Sequence, residues 1–170
     1  SLLELARLDA GREQGQRTVA DLADVAADCI DQLRPLALER EIRIEEDLKP
    51  APLSCHPDQI ARVFTNLIAN ALEYNHRGGQ IRVATSAQED KITAVVSDTG
   101  NGISPEDLPH IFDRFYRASQ SRTCSSEHAG LGLAICKAIV EAHGGQIEAA
   151  STPGAGTAVT LRWPAPGPRS

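Results

Sequence analysis

Apolar positions along the chain fall into stretches of two different periods. From Asp21 onward, Leu22, Val25, Ala26, Cys29, Ile30 and Leu33 recur at helical spacing, predicting a helix that Asp21 opens and Pro35 perturbs without ending. Before it, SLLELARLDA (residues 1–10) is apolar around most of a helical circumference, and Gly11 and Gly15 bracket a polar hinge. Short strands are expected at 41–47 and 52–55. The longest periodic run predicts a helix over 57–75, with Ile60, Val63, Phe64, Leu67, Ile68 and Ala71 facing inward and Gly78-Gly79 breaking it. Strands at 80–87 and 91–98 follow, joined by a polar turn at Glu89-Asp90. Residues 99–129 are rich in Gly, Ser, Asp and Arg, with a short helical signal near 105–111. A final helix spans 130–143, and strands at 146–151 and 157–163 flank the turn Pro153-Gly154-Ala155-Gly156. The tail PAPGPRS is expected to be disordered. Hairpin-length connections among interspersed helices predict a mixed sheet with helices packed on one face, rather than a doubly wound parallel sheet.

Composition narrows the function classes. The chain has 170 residues, 41% of them hydrophobic but only 4% aromatic, so Leu, Ile, Val and Ala must supply the core of one domain. A net charge of −6 argues against a nonspecific nucleic-acid or membrane-surface binder, which needs a basic face. No apolar run approaches the ~20 residues that span a bilayer. The chain lacks methionine and begins at Ser1, so it is expected to be a piece of a longer protein. Cys29, Cys55, Cys124 and Cys136 show no CxxC pairing and are expected to be free thiols.

Four segments carry candidate chemistry, and each alone has a plain structural reading beside a functional one. Asn66, Asn70, Glu73, Tyr74 and Arg77 form a polar stripe on the longest helix: either a solvated face, or two amides offering oxygens to a hard cation such as Mg²⁺. Asp98-Thr99-Gly100-Asn101-Gly102-Ile103 puts a carboxylate at a strand exit beside two glycines. It is either an ordinary loop or an acceptor for the exocyclic amine of adenine, which rejects the carbonyl of guanine. Gly130-Leu131-Gly132-Leu133 starts a helix whose free N–H groups suit phosphates. Ile111-Phe112-Asp113-Arg114-Phe115-Tyr116-Arg117 anchors a loop base, with Phe112 and Phe115 as anchors and Arg114, Arg117 and Arg122 within a lid's reach of phosphates.

In this order and spacing, NLIAN-ALEYN, DTGNGI, IFDRFYR, GLGLAI and the GAGT turn resemble the ATP-binding catalytic domain of sensor histidine kinases. That family belongs to the wider ATPase group with gyrase B, the ninety-kilodalton heat-shock chaperone and MutL. The resemblance covers residues 17–163. It implies an α/β sandwich (α+β), with a mixed, mainly antiparallel five-stranded sheet, three main helices packed on one face, and Mg²⁺-ATP held under a flexible lid. Asn70 would ligate Mg²⁺ and Asn66 assist near the phosphates, the two forming the catalytic pair. Tyr74 would lie against adenine, Asp98 accept its amine, and Thr157 reach the same base edge through water. Gly100 and Gly102 would shape the pocket, Ile103 and Leu133 wall it, and Gly130, Leu131 and Gly132 present the phosphate-binding backbone, with Arg117 and Arg122 from the lid. The expected organisation is 1–14 as the end of a dimerisation helix and hinge, 15–163 as the ATP-binding domain, and 164–170 as tail.

ATP-hydrolysing relatives resemble one another in carrying glutamate where this chain has Asn66. An amide cannot serve as general base, which supports phosphoryl transfer over hydrolysis. The family's acceptor histidine precedes Glu or Asp on an upstream helix. Here His56, His76, His110, His128 and His143 precede Pro, Arg, Ile, Ala and Gly. The chain is therefore expected to bind ATP but not to phosphorylate itself. The implied partners are a dimerisation and phosphoacceptor domain of the same protein, a response regulator and a second copy in the full-length homodimer, with no nucleic acid. The implied location is the cytoplasmic side of a membrane-anchored bacterial sensor. Two departures from the pattern, Glu73 in place of lysine and Glu127-His128-Ala129 in place of glycine, keep open a degenerate nucleotide-binding regulatory module without phosphotransfer. A further alternative is an anti-sigma-type protein serine kinase using the same fold.

Overall fold

The computed structural model describes Leu3, residues 16–116 and residues 132–165. In chain order these form β1 (Thr18–Asp21), α1 (Leu22–Glu39), β2 (Arg43–Leu48), β3 (Pro52–Cys55), α2 (Pro57–Glu73), β4 (Gln80–Ala87) and β5 (Lys91–Asp98). A single 3-10 turn (Leu108–His110), α3 (Gly132–Ala142), β6 (Gln146–Thr152) and β7 (Gly156–Pro164) complete the described part. Five strands form one sheet in the order β2-β4-β5-β7-β6. The pairs β4–β5, β5–β7 and β6–β7 are antiparallel, while β2 runs parallel to β4, because the connection between those two passes through α2.

Period-2 alternation decides which face of this sheet is covered. Ile81 and Val83 on β4, Ile92, Ala94 and Val96 on β5, and Val159, Leu161 and Trp163 on β7 are buried, and they join one core with α1, α2 and α3. Fully burying a side chain such as Phe64, Leu72 or Ile139 contributes about 1.5–3 kcal/mol each. The opposite face carries exposed ion pairs, as in Arg82–Asp47 and Arg162–Glu148, both at 2.7 Å. Those ion pairs are too exposed to add much stability.

The helix ends follow their capping chemistry. Asp21 accepts the N–H of Ala23 at 2.9 Å, which caps α1, and that of Ala51 at 2.8 Å, which pins the approach to β3. Pro35 lies inside α1 without ending it, as expected. The predicted helix over 57–75 stops at Glu73 with Tyr74 as its C-cap, and the helical signal near 105–111 resolves into turns and the single 3-10 turn. The expected strand at 52–55 exists, but it pairs with β1 in a separate two-stranded sheet. The four-residue β1 was not expected, because TVAD is too short to display a period. Apart from Leu3, which is helical, the expected helix over residues 1–10 lies outside the described residues, as do the hinge and most of the tail.

The register then positions the chemistry. Across β4, β5, β7 and β6, one cross-strand row on the helix-facing side holds Val83, Val96, Val159 and Ala149. The next row, at the sheet's end, holds Ile81, Asp98, Thr157 and Ser151. Three of four apolar positions have become polar on a face that is otherwise core.

Candidate functional site

Asp98 ends β5 with a half-buried carboxylate. Its Oδ1 accepts the backbone N–H of Gly100 at 2.8 Å and that of Thr157, its cross-strand neighbour, at 3.3 Å. Burial pushes the carboxyl above its ordinary value, and these two N–H donors pull against that shift without cancelling it. Oδ2 takes no hydrogen bond among the described residues. The carboxylate is thus fixed by one oxygen and presents the other.

The loop after Asp98 is fastened on two sides. Asn101 donates its N–H to the carbonyl of Tyr74 at 3.0 Å, joining the loop to the end of α2, and accepts the N–H of Gly154 at 2.8 Å from the β6–β7 turn. Gly100 is buried where a Cβ would press on the Tyr74 carbonyl and on Asp98 Oδ1. Gly102 has φ of 72° and faces the Thr152 carbonyl, so a side chain there meets both backbone strain and a backbone atom. The half-buried Ile103 donates its N–H to Ser151 Oγ at 2.7 Å. Ser151 Oγ also lies 2.9 Å from the Gly156 carbonyl oxygen and 2.9 Å from Thr157 Oγ1.

A second cluster sits where α2 meets α3. Asn66 Nδ2 donates to the carbonyl of Gly132, the first residue of α3, at 3.5 Å. Asn66 also hydrogen-bonds the Cys136 thiol one turn further along α3, a thiol whose complete burial pushes it up to about 12 and leaves it unreactive. Asn70, one turn after Asn66, is half-buried, and its side-chain amide makes no hydrogen bond among the described residues. Tyr74 follows one turn later, half-buried, with its N–H donated to the Asn70 carbonyl at 3.1 Å.

The structure therefore brings Asp98, Gly100, Gly102, Ile103, Tyr74 and Thr157 into one bonded cluster, and Asn66 with Gly132 into another. Helix α2 and its Asn70 lie between them, and Leu133 packs half-buried against the core. Arg117, Arg122, Gly130 and Leu131 lie outside the described residues. Of the two expected loop-base anchors, Phe112 is half-buried beside the buried Ile111, but Phe115 is 56% exposed with φ of 65°. The aromatic that ties this segment down is instead Tyr116, whose hydroxyl donates to the buried Asp107. Sequence reasoning also missed Ser151. Pairing the strands outward from the Pro153–Gly156 turn would have set Ser151 opposite Thr157 and drawn attention to it.

Comparison with known proteins bears on this geometry. The family described as "Histidine kinase-, DNA gyrase B-, and HSP90-like ATPase" matches residues 55–167. Sensor histidine kinase RppB of Synechocystis is 33% identical over 165 residues, covering 96% of this chain and 36% of that protein. The signal transduction histidine-protein kinase AfsQ2 of Streptomyces coelicolor is 38% identical over 167 residues, covering 96% and 29%. This chain thus spans about a third of the length of those curated relatives. Among solved structures, the mycobacterial sensor histidine kinase MprB superposes with a TM-score of 0.77 at 27% identity, covering 86% of this chain and 97% of that one. Acinetobacter baumannii histidine kinase AdeS superposes with a TM-score of 0.78 at 23% identity, covering 96% and 74%, a likeness of fold. Because the family match takes in more than half of its residues, the chain belongs to the histidine kinase-, DNA gyrase B- and HSP90-like ATPases.

Proposed function

We propose that this chain is the ATP-binding catalytic domain of a two-component sensor histidine kinase, and that it delivers the γ-phosphoryl of ATP to a histidine on a separate dimerisation domain. The observation that carries the reading is Asp98, fixed through Oδ1 by two backbone N–H groups with Oδ2 uncommitted. Such a carboxylate accepts the exocyclic amine of adenine and repels a carbonyl at the same place. Tyr74 lies against the base, Gly100 and Gly102 let the loop approach it, and Ile103 and Leu133 supply apolar walls. Thr157 meets the same edge through water. At the other cluster, backbone N–H groups at the start of α3, from Gly130 to Gly132, receive phosphates, with Arg117 and Arg122 adding charge.

Magnesium fits the residues present. The Asn70 amide is half-buried and uncommitted among the described residues, and a neutral oxygen donor suits a hard cation whose charge is balanced by phosphates. Bound there, the ion would neutralise charge on the phosphates as the γ-phosphoryl leaves. Asn66, occupied in holding Gly132 and unable to take a proton at neutral pH, gives water no general base, so the phosphoryl passes to another nucleophile. That nucleophile, a second copy and a response regulator belong to a longer protein, in which residues 15–163 form the nucleotide-binding domain and 1–14 the end of a dimerisation helix. We place the domain on the cytoplasmic side of a membrane-anchored bacterial sensor; among the described residues no helix is long and apolar enough to cross a membrane.

The test combines equilibrium binding of a fluorescent adenine nucleotide, with and without Mg²⁺, and addition in trans of a dimerisation segment carrying its histidine. Mg²⁺-dependent binding, followed by an acid-labile phosphoryl adduct on the segment, is expected. Binding without transfer would instead describe a regulatory module, and an acid-stable adduct on a partner's hydroxyl a serine kinase. Labelling of this chain alone would contradict the reading.

A further inference from the structure

Ser151 Oγ meets three partners: the Ile103 N–H at 2.7 Å, the Gly156 carbonyl oxygen at 2.9 Å and Thr157 Oγ1 at 2.9 Å. An amide N–H only donates, a carbonyl oxygen only accepts, and each hydroxyl has one proton and two lone pairs. One assignment turns all three contacts into hydrogen bonds. Ser151 gives its proton to the Gly156 carbonyl and receives the Ile103 N–H on one lone pair. Thr157 donates its own proton to the other. The opposite assignment, Ser151 donating to Thr157, leaves two oxygens 2.9 Å apart at Gly156 with no proton between them.

The consequence falls on Thr157. With its proton committed to Ser151, its hydroxyl offers only lone pairs elsewhere. Asp98, beside it in the same cross-strand row, is likewise an acceptor. The end of the sheet then displays acceptors alone.

We propose that Ser151 is a positioning residue for base selection: by taking the Thr157 proton it makes the base-reading edge an all-acceptor surface, which admits a purine carrying an amine at C6 and rejects one carrying an oxygen there. This rests on the proposed purine site at Asp98. Without Ser151 the Thr157 hydroxyl is free to turn and donate to the water between it and the base, so that water keeps a proton for an oxygen at C6 that had met only acceptors.

Binding of Mg-ATP is compared with that of the magnesium complex of 6-methoxypurine riboside triphosphate, in which an ether oxygen replaces the amine and N1 is unchanged. Both compete against a fluorescent ATP analogue. In Ser151→Ala the preference for ATP is expected to fall about tenfold, the change when an acceptor–acceptor mismatch becomes an ordinary hydrogen bond. Ser151→Thr restores a hydroxyl and keeps the wild-type preference. In a Thr157→Val background, Ser151→Ala leaves the preference where Thr157→Val set it, because no hydroxyl remains to turn. If Ser151→Ala does not fold, Ser151→Cys, whose thiol is a poor hydrogen-bonding partner, takes its place. Loss of affinity for both nucleotides in equal proportion would make Ser151 merely structural and overturn the proposal, as would an unchanged effect in the Thr157→Val background. A wild-type chain that binds neither nucleotide defeats the purine-site reading and this proposal together, an outcome distinct from an unaltered ratio.

Discussion

Asp98→Asn separates what this carboxylate does for the fold from what it does for a ligand. Both backbone bonds to Asp98, from Gly100 at 2.8 Å and Thr157 at 3.3 Å, converge on Oδ1, which an asparagine carbonyl reproduces. The substitution removes a charge that burial disfavours, so the fold keeps its hydrogen bonds and loses an electrostatic penalty. The ligand fares differently. The charge-assisted bond that we propose Asp98 makes to an adenine amine, worth about 1.5–3 kcal/mol, would be lost, and an amide N–H would face another N–H. Turning the amide over restores the acceptor only by breaking both backbone bonds. Affinity for Mg-ATP is therefore expected to fall on the order of a hundredfold while thermal stability holds or rises. The pH dependence carries the same signature with a definite sign. Because the folded carboxyl sits above its ordinary value of 3.8, the native state takes up this proton before the unfolded state does. Its contribution to stability thus rises as pH falls through the raised value, and nucleotide affinity falls over that same window. Asp98→Asn abolishes both dependences. Calorimetric titration and thermal melts between pH 4 and 8 read them out. Affinity within threefold of wild type, or a melting temperature lowered by many degrees, would refute the reasoning.

Three further outcomes follow from the packing. Gly102→Ala combines a left-handed backbone with a Cβ driven into the Thr152 carbonyl, so it should cost about 2–4 kcal/mol in urea unfolding. Trp163 is almost fully buried, yet its Nε1 has no hydrogen-bond partner among the described residues. Trp163→Phe should then cost less than about 2 kcal/mol, against about 3–5 kcal/mol for Trp163→Ala, both measured by denaturant titration followed by circular dichroism. The Cys136 thiol, pushed up to about 12 and fully buried, should resist maleimide at pH 8 in the native protein and react in denaturant, as identified by peptide mapping.

The elements that were legible in the sequence are those whose period repeats several times. Seven buried positions define α2, and the hairpins β4–β5 and β6–β7 each alternate over seven residues or more with a recognisable turn between them. Four-residue β1 fell below that threshold, and β3, though found, gave no hint that its partner would be β1 rather than the main sheet. Asp98, Gly100 and Gly102 were legible because a strand exit and two glycines advertise themselves in one stretch of chain. Ser151 was not, because the role proposed for it lies in register with Thr157, and a row across strands has no period along any one of them. Phe115 misled for a related reason: an aromatic suggests burial, but its backbone, with φ of 65°, leaves the ring exposed while the neighbouring Tyr116 makes the anchoring bond.

What joins the two clusters is a single helix, and that constrains how the site can change. Asn66 bonds the start of α3, and Tyr74, two turns later on α2, holds Asn101 in the loop beyond Asp98. Asn70 lies between them, attached to neither cluster by its side chain. A helix rises 1.5 Å per residue, so sliding α2 by even one position would break the bonds at both of its ends together and carry Asn70 away from the nucleotide we propose spans them. The buried face of α2, with Ile60, Val63, Phe64, Leu67, Ile68 and Leu72, opposes such a slide, since each residue would leave a fitted position. The uncommitted amide is therefore held in place by core packing and by its neighbours' bonds rather than by any bond of its own. That is the arrangement a ligand-binding group requires, because a partner within the protein would have to be given up before the ligand could be taken.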